Sequence, residues 1–150
     1  MEINPKYRSR ISVAWWSKTL LAIAAGLSVL LLIPDFDWWT ALAVAGVLVV
    51  TFFEFRVHRY FLTGDPRAPD LGFRNQACFA AGIMMYGLYH AFYPLSIQAM
   101  IPPELRDFYD ESQIDLMQSI VKNGFLVVGI LAGASQFGLA WYYRSAKVRG

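Results

Sequence analysis

Apolar residues in this chain neither alternate nor follow one narrow stripe; they gather into four long runs. The runs cover about 13–33, 38–60, 74–94 and 121–143. Each has roughly 20 residues or more, enough to cross a hydrocarbon core of about 30 Å as a helix. Lipid offers no partners to free backbone groups, so such runs must be helical. The pattern predicts an all-α integral membrane protein, one domain of four transmembrane helices in an antiparallel bundle. The third run is the least apolar, interrupted by Arg74, Asn75 and Gln76.

The polar stretches between the runs differ in kind. Pro34-Asp35-Phe36-Asp37 reads as a tight turn, making the first two spans a hairpin. Thr63 to Gly72, rich in Gly, Pro and Asp, reads as an irregular loop. The segment from Leu95 to Ile120 is long enough to hold its own element. Pro102 and Pro103 suit a helix start, and Leu105, Phe108, Tyr109, Leu116, Met117 and Ile120 recur near a 3.6-residue period. An amphipathic outer-side helix over about 103–119 is expected, with an acidic polar face that suits either the end of its own bundle or a partner.

Charge adds an orientation. Of the 13 lysines and arginines, all but Arg106 and Lys122 fall before span 1 or near its start, around the loop between spans 2 and 3, or after span 4. The bias of basic residues toward the cytoplasm then places both termini inside. Trp15, Trp16, Trp38, Trp39, Trp141, Tyr142 and Tyr143 fit interfacial belts. SVLLLIPDFDWW lacks a small-x-small cleavage site, so span 1 reads as an uncleaved helix, and the compact loops and charge bias suggest a bacterial inner membrane. Composition agrees: 57% of residues are hydrophobic and 16% charged, below the roughly 25% of ordinary soluble domains. A net charge of +2 leaves no nucleic-acid footprint. Cys78, the one cysteine, excludes an intrachain disulfide and a cysteine metal cluster.

Ionisable groups inside spans are the candidate functional residues. Lys18 and Glu54 lie at similar helical rise from the short turn between spans 1 and 2, which predicts an ion pair with His58 one turn away and Gln136 at similar depth. Lys18 snorkelling alone is the alternative, with Glu54 reaching Arg56, Asn75, Gln76 or water. Arg56 and Arg59 read as topology residues. His58 and His90 sit toward opposite ends of their spans and cannot clasp one haem. No cofactor or metal is expected, with His90 as a single ligand to a pigment or haem shared with another chain as the alternative. Small residues spaced by four in span 4, Gly129 with Gly133 and Ala134 with Gly138, predict a close helix interface, inside the chain or with a neighbour.

No Ser–His–acid relay and no phosphate-cradling loop occurs, and no family motif is recognised. The expected function is therefore a non-catalytic accessory, assembly or scaffold subunit, with the bilayer and other membrane subunits as partners. A homo-oligomeric channel or transporter with a polar path near Lys18 and Glu54 is the first alternative. A small membrane enzyme acting on a lipid or quinone is the second.

Overall fold

A computed structural model describes residues 7–32, 38–94 and 96–148. Regular structure among them is entirely helical: α1 (Arg8–Leu32), α2 (Trp38–Thr63), α3 (Ala68–Phe92), the short α4 (Ile97–Met100), a 3-10 helix (Pro103–Phe108) and α5 (Glu111–Val148). Among the described residues three stretches are long and apolar enough to cross a membrane, Arg8–Val29, Thr40–Thr63 and Glu111–Ser145. α3 has the length, 25 residues, but its first half carries Asp70, Arg74, Asn75 and Gln76, and it is not among the three. The expected turn at 34–37 lies outside the described residues.

Helix ends follow proline and cap chemistry. Every described proline sits in a loop or a first helical turn, so α1, α2 and α5 run uninterrupted. α2 stops at Gly64, which adopts a left-handed φ of 70°. The Asp65 amide bonds back to Tyr60 O at 2.9 Å and the Gly64 amide to Phe61 O at 3.3 Å, the paired bonds of a Schellman stop. Asp65 then starts the next helix: its Oδ1 accepts the Arg67 amide at 2.8 Å, with Pro66 in the first-turn position that needs no N–H. The segment expected to be irregular through Gly72 is therefore helical from Ala68, and α3 begins six residues or so before the expected start at 74.

The expected helix over 103–119 is corrected. The chain forms a 3-10 turn to Phe108, breaks, and restarts at Glu111 as one helix of 38 residues that continues through the expected fourth span. The break has a local cause in a capping box. Asp110 Oδ1 accepts the Gln113 amide at 2.8 Å, and Gln113 Oε1 accepts the Asp110 amide at 3.1 Å. At about 1.5 Å per residue α5 is about 57 Å long, well beyond a hydrocarbon core. The periodic Leu105, Phe108, Leu116 and Ile120 are all exposed.

By contacts the chain forms two compact units, one of residues up to Phe79 with those from Gln136 onward, the other Ala80–Ser135. In the first, α1 buries Ala14, Leu21 and Ala25, and α2 buries Val44, Thr51, Glu54, Val57 and Phe61. These positions recur every three, four or seven residues, the stripe of one helix face. Ala14, Val57, Phe61, Ala68 and Tyr143 form its apolar core. In the second unit, α3 and α5 meet backbone to backbone. A Cβ on Gly87 would stand 2.9 Å from the Gly129 Cα, and one on Gly133 would strike the Met84 side chain. Gly129 and Gly133 thus both lie against α3 inside the chain. Nothing lies within 4 Å of a Cβ on Gly138, and Ala134 is exposed, so the second pair is not used this way.

The Asp110 carboxyl titrates below its usual value, held there first by the Ser112 hydroxyl and then by the Gln113 amide. A carboxyl with a depressed folded value stabilises above its unfolded value of about 3.9, and that contribution is lost as pH falls through the folded value. Amide hydrogen exchange at Ser112 to Ile114 should accelerate in Asp110→Ala at neutral pH and converge with the wild type under strong acid. Unchanged exchange in the variant would remove the cap from the account of where α5 begins.

Candidate functional site

Glu54 is fully buried on the inward stripe of α2. A carboxylate in that position needs hydrogen-bond partners or it destabilises the fold by several kcal/mol (roughly, from transfer costs). Its partners come from two other helices. Oε2 accepts from Asn75 Nδ2 at 2.8 Å and from Gln76 Nε2 at 2.7 Å. Oε1 accepts the Tyr143 hydroxyl at 2.7 Å. All three are neutral donors, which match a group able only to accept.

Each donor is itself held. Asn75 Nδ2 also bonds Val50 O on α2 at 3.1 Å. Gln76 Nε2 reaches Ser17 Oγ on α1 at 3.1 Å, so α1 joins the network. Thr51, one turn before Glu54, bonds Val47 O at 2.7 Å and Leu21 O of α1 at 3.4 Å. Tyr143 lies fully buried in the apolar core, its ring 5.5 Å from that of Phe61. Gly72 makes room for it: a Cβ there would stand 2.6 Å from Tyr143 Cδ2. Gly72, Asn75 and Gln76 are three and four residues apart, hence on one face of α3. The Schellman stop and the Asp65 cap set the phase of that face.

Sequence reasoning selected Glu54 with Lys18 as its first partner; the structure gives instead the alternative reach to Asn75 and Gln76. Lys18 does not pair with Glu54. Its Nζ lies 3.1 Å from His58 Nδ1 and 5.4 Å from the centre of the Phe55 ring. A partly exposed ammonium bonded to His58 need not follow a carboxylate into a dry interior, where burying an ion pair can cost more than it returns. Lys18 and His58 are thus brought together, while Glu54 belongs to a different set. Gln136 is half-buried, its Oε1 without a hydrogen-bond partner, and it makes none of the Glu54 bonds. Gln76 Oε1 is likewise buried and unpartnered, because its amide turns nitrogen toward the carboxylate.

His90 lies in the second unit, buried, stacked on Phe125 at 4.7 Å and edge-on to Tyr86 at 4.5 Å, with Nδ1 unpartnered. Among the described residues no group of three or more His, Cys, Asp or Glu could hold a metal ion. Tyr143 and Ser17 were not selected from sequence as members of the site. Tyr143 sits in the triplet Trp141-Tyr142-Tyr143, whose pattern signals an interface rather than a buried hydroxyl. The Asn75-Gln76 pair did carry a signal: two neighbouring amides inside an apolar run need a polar partner in the interior.

Comparison of the chain with protein-family models, with curated proteins and with solved structures finds no match in any of the three.

Chemically the cluster is a closed lock. Both carboxylate oxygens are occupied by groups of the chain and the residue has no exposed surface. A hydrogen bond to a charged group contributes about 1.5–3 kcal/mol. Tyr143→Phe should therefore lower stability in detergent by about 2 kcal/mol. Glu54→Ala, which strands all three donors, should cost more than twice as much, on the order of 5 kcal/mol. Equal losses in the two variants, measured by denaturant titration, would show that the shared carboxylate is not what the donors depend on.

Proposed function

We propose that this chain is a small non-catalytic integral membrane protein serving as an accessory, assembly or scaffold subunit of a larger membrane complex. One observation carries the reading: the most polar interior group, Glu54, is sealed and fully bonded within the chain rather than presented to a path or a substrate. A transport path through Glu54 would need the carboxylate reachable from water, and a reaction centre would need an open position beside it. The same lock supports α3 as a fourth crossing helix, since Asn75 and Gln76 of its polar first half then face α2 rather than lipid. The distribution of basic residues supports both termini on the cytoplasmic side of a bacterial inner membrane.

The apolar exterior supports partnership with lipid and with other subunits. Leu20, Ile23 and Leu27 of α1, Leu42 and Val49 of α2, and Val128 and Leu131 of α5 are all more than half exposed. Faces of this kind must be covered by acyl chains or protein.

Native mass spectrometry after gentle extraction from the source membrane tests the proposal. Stoichiometric assemblies with larger, unrelated membrane subunits are the expected result. A chain that is recovered only as a monomer, or only as a homo-oligomer conducting ions in vesicles, would overturn it.

A further inference from the structure

Lys18 carries a charge that no described carboxylate neutralises. Its one polar partner is the imidazole of His58, 3.1 Å away, and no carboxylate stands within ion-pair distance of it among the described residues. An ammonium has donors only, so His58 Nδ1 must accept and its proton must sit on Nε2. That leaves two ammonium hydrogens and the Nε2 hydrogen as unused donors, with no acceptor between them.

The surroundings are those of a lipid headgroup site. Lys18 and His58 stand on α1 and α2, both long and apolar enough to span. His58 precedes the α2 terminus at Thr63 by about five residues, roughly 7.5 Å of rise, which is headgroup depth rather than midplane. The Phe55 ring lies beneath the ammonium, and Trp15, 44% exposed, stands one turn before Lys18. Arg56 and Arg59, flanking His58, are exposed. The nearby acids bond elsewhere: Glu54 to Asn75, Gln76 and Tyr143, and Asp65 to its helix cap.

We propose that Lys18 and His58 form a binding site for the phosphate of an anionic phospholipid, seated between α1 and α2 with its chains along the exposed apolar faces. The inference rests on the membrane location in the proposed function and not on any partner subunit, so loss of lipid selectivity with assembly intact would sink it alone.

The test is lipid retention by the purified chain, read by native mass spectrometry against phosphatidylglycerol and phosphatidylcholine. Wild-type protein should retain phosphatidylglycerol preferentially. Lys18→Met should weaken that retention about fivefold, the effect of one cation near a membrane surface. His58→Gln should weaken it less, and Arg67→Gln, in the loop, should leave the preference in place. Equal retention of the two lipids by the wild type overturns the site, whether or not the variants fold. So does unchanged selectivity in a folded Lys18→Met, or stabilisation by inorganic phosphate equal to that by phosphatidylglycerol.

Discussion

The hydrogen bonds to the Glu54 carboxylate are the constraint on which the first unit depends. Two oxygens collect donors from α3 and α5, and Gln76 extends the network to Ser17 on α1. Apolar packing alone would not choose one arrangement of these helices, because lipid is as apolar as their faces. A buried polar network does choose, since sliding or rotating a helix strands donors and acceptors away from water. Gly72 shows how tightly the choice is made. Only a residue without a side chain lets the Tyr143 ring lie against α3 with its hydroxyl on the carboxylate.

The second unit is held by a different principle. Gly87 and Gly129 bring two backbones into contact, and Gly133 receives Met84. The gain is dispersion between closely fitted surfaces, with no polar group required. One chain thus uses both devices known to join helices in lipid.

The four runs of apolar residues were enough to find α1, α2, most of α3 and the membrane part of α5, because length and apolarity dominate helix formation in lipid. Boundaries set by individual side chains were harder to read. Asp65-Pro66 starts α3 early, and the Asp110–Gln113 box merges the outer segment with the last span, each through one or two hydrogen bonds. Glu54 was legible as the residue that topology does not explain. Its partners were less so: charge suggested Lys18 first, with Asn75 and Gln76 as the alternative, and the site is built from those two amides and a phenol. Helical phase favours Asn75 and Gln76, but only three-dimensional packing brings in Tyr143, 89 residues away along the chain.

That separation bears on how the protein is made. Synthesis runs from the amino end, so Glu54 reaches the bilayer before Asn75 and Gln76 and long before Tyr143 does. An acidic group near the centre of an inserting helix costs about 2.5–3.5 kcal/mol on insertion scales. The nascent α2 must therefore carry an unsatisfied carboxylate until α3 follows, and the last bond closes only when α5 arrives. The α1–α2 hairpin is consequently an intermediate in need of shelter, from the insertion machinery or from a neighbouring protein. Maturation ends when the chain supplies its own final donor.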